Sequence, residues 1–404
     1  MFSMTRGDLR MVAGRFPTPT ISKSSVSNFL ASILKPLFQF GRCRWWLPVF
    51  LWLAMLAPAQ AGLVLRIAIK NGANQVKVGS STKAQVRDGS GRTLGTLNAM
   101  SSFIAKPQGG GIALNRLRAG QLWIEPSGDG YVFIGDRWYR GRTRLVRKGS
   151  GLIAINHVDL EEYLYSVLGG EVYTDWPMEA LKAQAVSARS YALHKRQKTS
   201  NGLYDVGNTT TWQVYKGVAT EASTTQAAVK ATAGQVLTHK NQVILAVFHS
   251  SSGGHTENVE DIWSSPLPYL RGVPDFDQGT RHFRWEKSFS RGQLSKRITG
   301  IGNIVSFSPE RLTPRGRIVT MKVLGDRGSR SLSGNAMRKA LSLKSTRFVV
   351  SPAGNNFRIQ GGGFGHGVGM SQWGAYGMAK RGYNYQQIVG HFYRGATLAR
   401  IKVE

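Results

Sequence analysis

Cysteine is almost missing from this chain: Cys43 is the single one in 404 residues. That excludes a disulfide framework and any chemistry built on a pair of thiols. Acidic residues are also scarce, with 22 Asp and Glu against 53 Lys and Arg, a formal net charge of +31. A field of that sign selects polyanions: nucleic acid inside a cell, or an acidic polymer or lipid headgroups outside it. The apolar run at 45–57 is too short for a spanning helix, which needs roughly 20 residues, and it contains Pro48. It follows the basic stretch Arg42-Cys43-Arg44 and ends in Ala59-Gln60-Ala61, the small-x-small pattern that a signal peptidase reads. We therefore expect 1–61 to be a signal peptide or signal anchor. The expected location is periplasmic, cell-wall associated or extracellular. Membrane contact is expected only through that segment if it stays uncleaved. Export removes nucleic acid from the expected partners and leaves an acidic polymer beyond the membrane.

Glycine is abundant, at 48 residues, and it punctuates short apolar alternations near 63–69, 75–78, 84–86, 121–124, 131–134 and 152–156. These predict strands, and 62–150 reads as a small antiparallel β module. The texture then changes. Val158, Leu160, Tyr163, Leu164, Val167 and Leu168 have helical spacing, with a break expected at Gly169-Gly170. Trp176-Pro177 opens a second helix, with Pro177 at its first position and Asp175 near its cap. Leu181, Ala185, Ala188 and Ala192 form one face of that helix. A third helix is expected over 223–232 and a strand over 243–248. The fold class is thus α/β of the α+β type, a mixed region over 151–404 behind the β module.

Gly169-Gly170-Glu171, read as a loop between two helices, sets a carboxyl among Val172, Tyr173 and Trp176. Apolar surroundings raise a carboxyl pKa, and a general acid at neutral pH needs that; a Glu capping the next helix is the alternative. A second glycine-rich stretch, 361–369, carries His366 and leads to Ser371, Gln372 and Trp373. No three of its glycines have the G-x-G-x-x-G offsets of a dinucleotide site. Glycine-rich backbone there suits a close approach to a sugar chain, with His366, Ser371 and Gln372 supplying hydrogen bonds and Trp373 a stacking face. Two histidines six apart with a carboxylate, His249, His255 and Glu257, could bind zinc, but their Ser/Gly loop lacks a further convincing ligand. The sequence reads as metal-free and calls for no cofactor.

The stretch from Val158 through Gly169-Gly170-Glu171 to Trp176-Pro177-Met178-Glu179-Ala180-Leu181-Lys182-Ala183-Gln184-Ala185-Val186-Ser187-Ala188-Arg189-Ser190-Tyr191-Ala192 resembles the signature of the SpoIID/LytB family. Later segments agree in order: Gln213-Val214-Tyr215-Lys216-Gly217, Phe248-His249-Ser250-Ser251-Ser252-Gly253-Gly254-His255, Asp261-Ile262-Trp263, and Gly363-Phe364-Gly365-His366-Gly367-Val368-Gly369-Met370-Ser371-Gln372-Trp373-Gly374-Ala375. The resemblance covers roughly 146–400. It implies a lytic transglycosylase that cuts peptidoglycan glycan strands, with Glu171 as its catalytic acid/base, or a non-catalytic enhancer of a wall amidase. Gln184, Ser187 and Arg189 on the following helix are candidates for orienting the sugar, although packing explains the small residues there equally well. His249, His366, Ser371 and Gln372 are candidates for touching it. Asp175, Glu257 and Asp261 are the candidates for a second carboxylate. Some relatives carry a Cys/His cluster before the Gln-Val-Tyr segment; here 204–212 holds neither residue type, which speaks against a metal.

Overall fold

The computed structural model describes residues 11–12, 62–199, 202–263 and 265–401; the expected export segment at 42–61 lies outside them. Among the described residues no helix is long and apolar enough to cross a membrane.

Two sheets form the first half. Seven strands run in the order Val206–Gly207, Val64–Ala73, Gly151–Asp159, Arg142–Lys148, Gln121–Pro126, Ala84–Arg87, Thr93–Leu97. All neighbours are antiparallel except the first pair, which is parallel. A six-stranded sheet, containing Val76–Ser80 and Ser102–Gln108, supplies Val78, Ile112, Leu114 and Ile134 to the same core. Gly151–Asp159 is a central strand, buried on both faces from Gly151 to Val158. Its sheet therefore runs across residue 150.

Helix α1 (Leu160–Glu171) follows that strand directly. Val158 stays in the sheet, and the Asp159 carboxylate accepts the first free amides of the helix, Glu161 N at 2.8 Å and Glu162 N at 3.3 Å. Gly169 and Gly170 do not break the helix as expected; it continues through them to Glu171. Glycine in a helix costs about 1 kcal/mol relative to alanine, and close packing overrides that here, as shown below. Helix α2 (Met178–Lys198) starts one residue later than predicted. Pro177 is its N-cap, with no side-chain capping bond, so Asp175 does not cap it. Helix α3 is Ser223–Ala231. The predicted strand at 243–248 is two short pairings instead, Gln242–Val243 and Phe248–His249.

Helix α2 is the axle of the molecule. Leu181, Ala185, Ala188 and Ala192 face the core that holds both sheets and α1. Ala183, Val186 and Tyr191 face a second core with Val247, Met370, α4 (Gln372–Lys380) and α5 (Tyr385–Phe392). A helix covered on every side keeps small residues so that neighbours can approach. A third core, around Trp285, Ile304, Met321 and Ile359, belongs to the segment spanning 284–362. That segment carries two three-stranded antiparallel sheets. The mixed α/β fold class read from the sequence is the one observed.

Candidate active site

Glu171 is the last residue of α1, and the loop 213–220 lies against the end of that helix. A β-carbon on Gly170 would stand 2.7 Å from the Val214 carbonyl oxygen, and one on Gly169 only 1.8 Å from that of Thr220. The two glycines therefore exist for contact between backbones. They let Val214 N–H donate to Glu171 Oε1 at 2.6 Å. Gln213 fixes the approach: its side chain accepts from Tyr163 Oη at 3.1 Å and donates to the Ala188 carbonyl at 3.2 Å. One amide thus ties the loop to α1 and α2 together.

Burial pushes the Glu171 carboxyl above its ordinary pKa; the Val214 amide, the nearby Gln372 amide and Lys216 oppose that push. The Gln372 Nε2 has no hydrogen-bond partner of proper geometry, so it acts on Glu171 as a dipole close by. Tyr191 lies near enough that burial and the Glu171 charge push its phenol up to about 12. Tyr163 and Tyr191 thus stand close to the carboxyl, and the Lys216 charge acts on it.

An aromatic ridge rises beside the carboxyl. The ring centroids are 5.8 Å apart for Tyr173–Trp176, 4.8 Å for Trp176–Trp373, 5.9 Å for Tyr173–Trp373 and 5.3 Å for Trp373–Tyr376. Tyr173 is 49% exposed, so the ridge presents a face to solvent. His282 continues it, 6.5 Å from Trp373 and 5.1 Å from Phe364. Sugar rings pack on faces of this kind through their axial C–H groups.

The predicted contact residues divide. Ser371 is the N-cap of α4, accepting from Gly374 N at 3.1 Å, and so aims the first residues of that helix, Gln372 and Trp373, at the site. His249 and His366 are framework groups. Val368 N–H donates to His366 Nδ1 at 3.1 Å, which places the proton on Nε2, where it binds the Phe248 carbonyl at 2.9 Å. The Val368 carbonyl in turn accepts from His249 Nδ1 at 3.1 Å. Burial holds His366 down at about 4 and His249 well below its ordinary value. Gln184 is buried with both amide atoms unpartnered.

Ser187 and Arg189 face the interior and cannot orient a sugar as expected. The Ser187 hydroxyl donates to Ala183 O at 2.8 Å. Arg189, fully buried, makes a bidentate pair with Glu161 at 2.8 and 2.6 Å and donates to Gln235 O at 3.0 Å. The glycines of 361–369 likewise serve the protein's own packing. A β-carbon on Gly367 would stand 2.3 Å from the Arg317 guanidinium, which crosses there to pair with Glu257 at 3.3 Å. Glu257 is thereby committed, and Asp261 accepts from Asn258 at 3.0 Å. Among the described residues no group of three His, Cys, Asp or Glu stands together as a metal site.

Sequence reading missed Tyr191, Lys216 and the Val214 amide. Only the paired glycines before Glu171 signalled that another backbone comes close.

Residues 148–239, which contain α1, α2 and the Val214 loop, match the family described as stage II sporulation protein (SpoIID). Residues 269–369 match a domain of unknown function (DUF8618). The chain belongs to the SpoIID/LytB family. It is 33% identical over 268 residues to stage II sporulation protein D of Bacillus subtilis, covering 61% of this chain and 76% of that one. An uncharacterized protein of Brachyspira hyodysenteriae is 33% identical over 284 residues, 67% of this chain and 74% of its own. The amidase enhancer of Bacillus subtilis is 31% identical over 290 residues, 58% of this chain and 40% of that protein.

Proposed function

We propose that this protein works on the bacterial cell wall as a lytic transglycosylase, cleaving the bond between N-acetylmuramic acid and N-acetylglucosamine with Glu171. The observation that carries the reading is a buried carboxyl with raised proton affinity, fixed by one backbone amide beside an exposed aromatic ridge. The protonated carboxyl gives its proton to the glycosidic oxygen as the C1–O bond breaks. The same carboxylate then takes the proton of the muramoyl 6-hydroxyl, which closes on C1 to give a 1,6-anhydro sugar. Proton and electron pairs balance without water. The intramolecular hydroxyl has a high effective molarity, so one carboxyl suffices where a hydrolase uses two. The Lys216 charge acts on Glu171. The substrate is an acidic glycan, for which a chain of net charge +31 is suited. We further propose that residues 1–61 export the protein to that substrate.

The test is mass spectrometry of products from peptide-stripped glycan strands incubated with 62–404. Products ending in 1,6-anhydro-muramic acid, absent with Glu171→Gln, are expected. Reducing-end sugars would mean a hydrolase. The amidase enhancer relative favours one other reading, a glycan-binding partner of a wall amidase; binding without any cleavage would establish it.

A further inference from the structure

The segment 284–362 carries a cleft that the site chemistry does not use. Its sheet has three strands, Arg284–Ser290, Asn356–Gly362 and Phe348–Ala353, with Asn356–Gly362 in the middle. Register places Arg284 opposite Gly362, and the Gly362 amide bonds the Arg347 carbonyl at 3.0 Å. Arg284, Gly362 and Arg347 thus form one row across the sheet. The next row on the same face is Glu286, Gln360 and Val349. The central member of the first row has no side chain. The two arginines therefore stand about two strand spacings apart, roughly 9–10 Å, with the Phe283 carbonyl and Gly253 packed over Gly362 between them. Arg315, on the turn beyond, lines the same cleft of about 590 Å³.

Charge in the cleft is unbalanced. Its one carboxylate, Glu286, is engaged by Gln360 at 2.9 Å and Arg358 at 3.4 Å. Among the described residues no carboxylate pairs with Arg284, Arg315 or Arg347. Arg347 is pinned by donating to the Gly253 carbonyl, which gives the cleft a fixed cation. Val349, 63% exposed, adds an apolar rim. Guanidinium groups without a carboxylate partner, lining one cleft, suit an incoming carboxylate, which accepts in the plane of the fork. The cleft also lies close along the chain to the end of the aromatic ridge. The ridge Tyr173–Trp373–His282–Phe364 ends one residue from Gly363, which is followed back along the chain by Gly362.

We propose that this cleft is a second subsite, which seats a carboxylate of the glycan strand away from the bond being cut. The proposal rests on the reading of the protein as acting on peptidoglycan. Two carboxylates share the required chemistry: the lactyl group of a peptide-stripped muramic residue, and the end of a stem peptide.

The test measures binding without turnover, in the Glu171→Gln protein, using fluorescently labelled glycan strands at low salt. Arg284→Glu with Arg315→Glu lies on the surface and is expected to weaken binding of peptide-stripped strands about tenfold. A charge-matched control, Arg116→Glu with Arg118→Glu on the β module, is expected to change little. Capping the lactyl groups as neutral amides should reproduce the loss in the protein with an intact cleft. If peptide-bearing strands alone respond to the cleft variant, the seat takes the stem-peptide carboxylate. Equal losses from cleft and control variants, or no loss from the cleft variant, would overturn the proposal. Absence of cleavage by the unaltered protein bears on the transglycosylase reading and leaves this binding result intact.

Discussion

Val214 N–H and Glu171 Oε1 stand 2.6 Å apart across 43 residues of chain, and Gly170 is what lets them meet. The bond fixes one carboxyl oxygen. It also lowers a pKa that burial alone would carry further up.

Replacing Gly170 by alanine tests that geometry directly. The added methyl would meet the Val214 carbonyl at 2.7 Å and push the loop from α1. Overpacking of this kind costs about 1–3 kcal/mol. The expected outcome is a lower melting temperature together with a fall in glycan cleavage larger than the unfolded fraction accounts for. An unchanged cleavage rate would show that the Val214 bond is not needed.

The pH profile follows from the same carboxyl. Glu171 must start protonated, so kcat/KM should fall as pH rises through its raised pKa. Lys216 favours the ionised form. Its replacement by Gln should move the falling limb to higher pH, and 1 M salt should shrink the difference between the two proteins. A downward shift would mean that another group controls the limb.

Arg189 is a structural cation. Arg189→Ala leaves Glu161 without its bidentate partner, and breaking such a pair costs about 3–5 kcal/mol when buried, less where a partner is partly exposed. Glu161 is 27% exposed, so about 3 kcal/mol is expected from urea melts. Cleavage per folded molecule should stay near that of the parent protein. A selective loss of kcat with normal stability would restore the role in sugar contact that its place in the motif implied.

Asp275 gives the fold its own pH dependence. Burial and the neighbouring Asp277 push its carboxyl up to about 7, although Ser252 Oγ donates to it at 2.6 Å. The folded state then binds a proton that the unfolded chain has released above about 4. Stability should therefore fall as pH rises from about 4 to about 7 and level off beyond. Asp277→Asn removes the repelling charge, and denaturant midpoints measured across that range should show a flatter slope. A slope unchanged by that substitution would remove Asp277 as its cause.

By itself the sequence determined three of the helices and singled out Glu171 as the candidate acid. Apolar spacing located α1 to within a few residues at each end, and the third helix, predicted over 223–232, is Ser223–Ala231. Those patterns are local, set by backbone periods within a few turns. The ordered motifs around Glu171 likewise sufficed for the family. What the tertiary structure alone decided is where each polar side chain of those motifs goes. Gly169-Gly170 looked like a break because propensity counts only the residue, whereas Thr220 and Val214 require a surface without side chains. Arg189 looked like a contact for sugar because its partner Glu161 lies 28 residues upstream. His249 and His366 are joined by a ring contact with centroids 5.2 Å apart and through the Val368 peptide, which no spacing rule connects to both. Hydrogen-bond partners of buried groups are chosen by three-dimensional proximity, and that proximity exists only once the cores have closed around α2.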